Sequence, residues 1–134
     1  MITEATFFTL LYIWMGIAIV TFPVLLKVTA PYGRHTTNSW GPTMNNKWAW
    51  FIMEVPVIIM FSYLLFSGPN KISVPVYIFY GTFMIHYINR VFIFPLRIKS
   101  NGKRMPVAVV AMAFFFNIFN GFFNGYWFGY LSPE

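Results

Sequence analysis

Residues 48 to 66, WAWFIMEVPVIIMFSYLLF, hold one charge, Glu54, and one proline, Pro56, in an otherwise almost wholly apolar run. As a helix, such a run of roughly 20 residues crosses the hydrocarbon of a bilayer. An ionised carboxylate there costs several kcal/mol, on the order set by translocon insertion, unless it faces a cavity, meets a cation or is held neutral. Pro56 has no N–H, so the carbonyl of Ile52 is expected to lose its helical partner. Polar side chains and irregular backbone at membrane depth are tolerated where they line a cavity or are covered by protein.

Three further apolar runs flank this one. The first spans about Ala5 to Leu26, is uncharged and holds Pro23 near its end; the third spans about Val74 to Leu96 and contains His86 and Arg90; the fourth spans about Pro106 to Leu131 and is uncharged. The chain has 134 residues, of which 58% are hydrophobic, 22% aromatic and 9% charged. A soluble domain carries about 25% charged residues, and a small one cannot bury this much apolar surface. The sequence therefore predicts a single all-α domain over residues 1–134: a polytopic membrane bundle of about four transmembrane helices, near 5–26, 48–66, 74–96 and 106–131.

The net charge of +6 is spread between the apolar runs. That pattern fits basic loops at a membrane surface rather than nucleic-acid binding. Lys27, Arg34 and Lys47 lie in loop one, Arg97, Lys99, Lys103 and Arg104 in loop three, and only Lys71 in loop two. Loops one and three are accordingly expected on the cytoplasmic side of the endoplasmic reticulum or of a bacterial inner membrane. No cysteine is present, which excludes disulfides and thiolate metal sites, and no metal-ligand spacing, glycine-rich phosphate motif or nucleophile elbow occurs.

Chemistry-bearing residues cluster on three of the runs. A desolvated Glu54 suits a neutral hydrogen-bond donor, and an ion pair with Arg90 is the structural alternative. His86, Tyr87 and Arg90 fall at helical spacings that place them close together on the third helix. Imidazole, phenol and guanidinium together suit a polar or anionic ligand in a dry site, and the alternative is an Arg90 that reaches the interface. Asn117, Asn120 and Asn124 form a stripe on the fourth helix beside Gly121 and Gly125. The stripe reads as helix–helix packing glued by amides, or as a polar wall of a ligand cavity. The first loop, Ala30 to His35 and Trp40 to Pro42, is rich in turn formers and aromatics. It suits a phosphate-bearing cofactor or a tryptophan-anchored interfacial loop.

Several strings in this order resemble the steroid 5α-reductase family: APYGRH (Ala30 to His35), WGP (Trp40 to Pro42), AWFIMEVP (Ala49 to Pro56), HYINR (His86 to Arg90), FPLR (Phe94 to Arg97), Met105-Pro106 and NGFFNGYW (Asn120 to Trp127). Each string is weak alone, and the ordered set is specific. The resemblance implies a seven-helix membrane fold of which this chain is the N-terminal half. It implies NADPH-dependent reduction of the C4–C5 double bond of a 3-oxo-Δ4-steroid or similar lipid enone. Glu54 and Tyr87 then match the pair that hydrogen-bonds the 3-ketone. Tyr32, Arg90 and Arg104 match positions near the cofactor. Met112 matches a position held by arginine in some members and methionine in others, which, with Asn120, places it at the substrate cavity. Asn89 and Phe94 stand where some members have histidine and tyrosine.

The resemblance also implies that three further helices hold most of the cofactor contacts, so that residues 1–134 alone are not expected to bind NADPH tightly or to turn over. A second reading, from another class, is a non-catalytic membrane protein that binds a sterol or a partner subunit. A membrane methyltransferase is a third, by analogy of fold alone.

Overall fold

The computed structural model describes residues 2–29, 35, 40–99 and 102–132. It falls into two compact units, residues 1–30 and 31–134.

The first unit is one helix, α1, Glu4–Lys27. Thr3 caps it, its hydroxyl accepting from the Thr6 N–H at 3.2 Å. Glu4 in the first turn and Lys27 in the last both oppose the helix dipole. Leu10, Ile13, Ile19, Phe22 and Leu26 are all exposed. A helix that offers water so many large apolar side chains needs lipid around it.

The second unit runs β1 (Thr43–Asn45), α2 (Asn46–Ser67), α3 (Val74–Ile88), a π-helical turn (Asn89–Ile93), α4 (Phe94–Arg97), β2 (Arg104–Pro106) and α5 (Val107–Tyr126), which continues into a second π-helical turn, Trp127–Leu131. Helices α1, α2 and the joined segment Val107–Leu131 are each long and apolar enough to cross a membrane. The chain is an integral membrane helical bundle, and among the described residues its sheet has two short strands. The expected third span is not among those three. It forms the 15-residue α3 and then widens into the π-helical turn around Arg90 before α4 closes it. The polar residues His86, Asn89 and Arg90 lie where the helix changes pitch.

Strands β1 and β2 pair antiparallel, with Thr43 opposite Pro106, Met44 opposite Met105 and Asn45 opposite Arg104. Loops one and three therefore meet at one end of the unit. Because α2 and α5 both start from this ladder, they run side by side in the same direction. Glycines let them approach closely: a Cβ on Gly121 would stand 2.8 Å from the Met60 Cβ and 2.9 Å from the Val57 carbonyl oxygen. A Cβ on Gly125 would stand 2.8 Å from the Leu64 Cβ. This is small-residue packing of membrane helices. Ala49, Met53, Met105 and Val110 form a buried cluster near the ladder. Phe61, Leu65 and Met84 form another toward the far end. There the Asn70 N–H donates to the Gly129 carbonyl at 3.1 Å, and the Asn70 amide donates to the Ser132 carbonyl at 3.0 Å.

Candidate functional site

Between α2, the α3 region and α5 lies a cavity of about 360 Å³, whose polar lining is Glu54, His86, Tyr87, Arg90 and Asn117. Trp50, Met53, Met105, Val109, Ala113 and Phe116 complete its wall. Acid and phenol thus share one hollow, brought together from α2 and α3.

Glu54 is only 4% exposed. Arg90 Nε donates to Glu54 Oε1 at 2.9 Å, and Arg90 Nη2 donates to the same oxygen to complete an ion pair. Asn117 Nδ2 donates to Glu54 Oε2 at 3.3 Å and to the Met53 carbonyl at 2.6 Å. Both carboxyl oxygens are therefore acceptors. Of the two readings of Glu54 made from the sequence, a neutral donor and an ion pair with Arg90, these contacts are those of the second. The ion pair, the structural alternative read from the sequence, is the arrangement seen, and it offsets part of the cost of a buried carboxylate. The Arg90 guanidinium also lies over the Trp50 ring, 4.9 Å from its centroid, which adds a cation–π contact. The π-helical turn widens the backbone where Arg90 leaves it, a feature frequent at functional sites.

Tyr87 is half-buried. Its ring packs edge-on to His86 at 5.1 Å and at a tilt on Phe83 at 4.6 Å. Its hydroxyl oxygen accepts from Asn120 Nδ2 at 2.8 Å. Asn124 Nδ2 donates to Asn120 Oδ1 at 3.0 Å and to the Asn120 main-chain carbonyl at 2.8 Å. The asparagine stripe is thus turned inward, and each of its members holds a polar group. Asn117 braces the acid, Asn120 the phenol, and Asn124 braces Asn120. Among the described residues no buried side-chain nitrogen or oxygen lacks a partner.

The other residues singled out in the sequence are scattered. Asn120 stands behind Tyr87 and does not line the cavity. Met112 is 55% exposed on α5 and also lies off the cavity wall. Arg104 is exposed on β2, where Nε donates to Thr43 Oγ1 at 2.8 Å and Nη2 to the Thr43 carbonyl at 2.5 Å. It pins the ladder and does not line the cavity. Tyr32 lies outside the described residues. The sequence reading missed Trp50 as the platform under Arg90, because only the tertiary fold brings them together. It also missed Asn117 as the brace of Glu54, although the stripe had marked that residue as inward-facing. No cluster of potential metal ligands occurs among the described residues.

Arg90 has five N–H groups and gives two of them to Glu54. The donors left over, on a side chain that lines the cavity, fit an anionic group such as a phosphate.

No protein-family model matches the chain. Among curated proteins it is similar to a steroid 5-alpha-reductase DET2 of Gossypium hirsutum, 35% identical over 121 residues, covering 88% of this chain and 47% of that protein. It is 33% identical to the steroid 5-alpha-reductase DET2 of Arabidopsis thaliana over 139 residues, 99% of this chain and 53% of that protein. It is 30% identical to the 3-oxo-5-alpha-steroid 4-dehydrogenase 1 of Rattus norvegicus over 115 residues, 84% of this chain and 44% of that protein. The chain spans about half the length of the curated relatives it matches.

Proposed function

We propose that this chain, homologous over most of its length to the steroid 5-alpha-reductases, supplies the ketone-binding half of an NADPH-dependent reductase. Its substrate is a 3-oxo-Δ4-steroid or a similar lipid enone. The observation that carries this is the placement of Glu54 and Tyr87, from two helices, on the wall of one partly apolar cavity inside a membrane bundle.

Arg90, with donors to spare, would hold an anionic part of the cofactor, whose nicotinamide, when bound, would supply a hydride to the β-carbon of the enone. The enolate so formed takes a proton from solvent at its α-carbon, and the chain's own residues act on the ketone. As the β-carbon gains electrons, negative charge develops on the ketone oxygen. Tyr87, whose hydroxyl oxygen already accepts from Asn120, turns its proton toward the cavity and donates to that oxygen. Glu54 has one oxygen engaged by Arg90 and the other held only by the 3.3 Å contact from Asn117. Through its ion pair Glu54 fixes the Arg90 guanidinium on the same wall as Tyr87. Donors aimed at the developing enolate act as an oxyanion hole, and one such donor is worth roughly 3 kcal/mol of barrier. The apolar part of the wall, Met53, Met105, Val109 and Phe116, suits the hydrocarbon of a steroid and keeps water from competing for the ketone. Tyr32 and Arg104 would join the cofactor site from loops one and three, on the cytoplasmic side. Met112 and Asn120 would influence substrate choice from outside the wall described.

The test is reduction of a 3-oxo-Δ4-steroid by the full-length protein in membranes supplied with NADPH, read by mass spectrometry of the saturated product. Glu54→Ala and Tyr87→Phe are expected to abolish or cripple turnover, and unchanged turnover in both would remove the assignment. The second reading, a non-catalytic protein that binds a sterol or a partner subunit, is favoured by one observation: Glu54 is already satisfied by Arg90 and Asn117. It predicts sterol binding that is indifferent to NADPH.

A further inference from the structure

Resting on that reading, we infer that Asn124 and Asn120 are positioning residues that fix which way the Tyr87 hydroxyl proton points. Asn124 Nδ2 lies 2.8 Å from the main-chain carbonyl oxygen of Asn120. A carbonyl oxygen only accepts, so the Asn124 atom facing it is the amide nitrogen. That same nitrogen lies 3.0 Å from the outer atom of the Asn120 side chain, which must then be the amide oxygen, Oδ1. The other end of the Asn120 amide is therefore its NH₂ group, and it meets Tyr87 Oη at 2.8 Å. Turning Asn120 over would set two NH₂ groups face to face. The hydroxyl of Tyr87 is thus an acceptor on its α5 side, and its one proton is left for another partner. No other described residue hydrogen-bonds that hydroxyl, and Tyr87 lines the cavity. A fixed main-chain carbonyl, two amides and a phenol form a one-way series that ends in a donor aimed at the hollow. Asn124 touches neither the cavity nor Tyr87, yet it decides the polarity of the group that meets the ketone.

Two variants reverse the series with side chains of nearly the same size. In Asn124→Asp the side chain has no N–H, so it rotates off the Asn120 main-chain carbonyl and accepts from the Asn120 amide, which turns over and presents Oδ1 to Tyr87; the phenol gives up its proton to that oxygen. In Asn120→Asp one carboxylate oxygen still accepts from Asn124 and the other takes the phenol proton directly. The direct readout is the ¹³Cζ resonance of Tyr87 in the full-length protein, assigned by its disappearance in Tyr87→Phe. Both variants are expected to shift it, to lower kcat roughly a hundredfold, to leave the KM for NADPH unchanged, and to add no further loss in a Tyr87→Phe background. An unmoved resonance, or losses that multiply with that of Tyr87→Phe, would overturn the inference. If the wild-type protein reduces no enone, the reductase reading falls, and the resonance still decides the polarity of Tyr87.

Discussion

Arg90, in the π-helical turn after α3, donates through Nε and Nη2 to one and the same oxygen of Glu54, 36 residues earlier on α2. The acid is almost fully buried, while the arginine side chain is 36% exposed. The pair therefore has one dry end and one end open to the cavity. The remaining N–H groups of Arg90 are thereby left on the cavity side.

Removal of the buried member is costlier than its exchange for an amide. Glu54→Ala leaves Arg90 without its counter-ion and is expected to cost roughly 1–3 kcal/mol, less than a fully buried pair would because Arg90 is partly solvated. Glu54→Gln keeps the shape and an acceptor oxygen and should cost less. Thermal unfolding of the detergent-solubilised protein, followed by tryptophan fluorescence, ranks the two.

Arg90→Lys separates charge from geometry. Lysine keeps the positive charge but loses the planar fork that spans Glu54, Trp50 and the cavity. The KM for NADPH is expected to rise by about tenfold, on the scale of one lost charge-assisted hydrogen bond, with a smaller change in KM for the steroid. Steady-state kinetics with each substrate varied in turn checks this.

Tyr87→Phe retains the ring contacts with Phe83 and His86 and deletes only the hydroxyl. Stability is expected to fall by about 1 kcal/mol, the net worth of the Asn120 hydrogen bond, while kcat falls roughly a hundredfold. The disparity between melting temperature and turnover is the signature to look for.

Two glycines predict opposite outcomes for one substitution. Gly125→Ala drives a methyl to 2.8 Å from the Leu64 Cβ and 3.0 Å from the Phe61 carbonyl, so it should push α2 and α5 apart at a cost of about 1–3 kcal/mol. At Gly81, within α3, nothing lies within 4 Å of the added methyl, and Ala there should be neutral or stabilising by up to about 1 kcal/mol through helix propensity. Comparison of the two melting temperatures with wild type decides it.

The helical runs were legible in the sequence because length and hydropathy alone define a span, and α1, α2 and α5 begin and end within a few residues of the expected limits. The β1–β2 ladder was not: its strands are three residues each and join Thr43 to Pro106 across the whole of α2 and α3, with no local periodicity to announce it. Nor was the π-helical turn at Asn89–Ile93, since an inserted residue in a helix leaves no pattern in an otherwise apolar run. Glu54 and Tyr87 stood out as a lone acid and a phenol beside histidine, and they do share a cavity. That Arg90 would neutralise the acid was legible as an alternative only, because sequence spacing cannot tell a partner on another helix from one that snorkels. The asparagine stripe announced an inward face. The direction of its hydrogen bonds emerged only with the Asn120 carbonyl in place.

Polarisation of the ketone can be observed before any hydride moves. A 3-oxo steroid lacking the double bond, labelled with ¹³C at the carbonyl and bound to the full-length protein in lipid, reports through its infrared C=O stretch. The expected result is a band displaced to lower frequency than in hexane, with most of the displacement lost in Tyr87→Phe. A wild-type band at the hexane position, or the same displacement in Tyr87→Phe, would contradict the role given to the cavity.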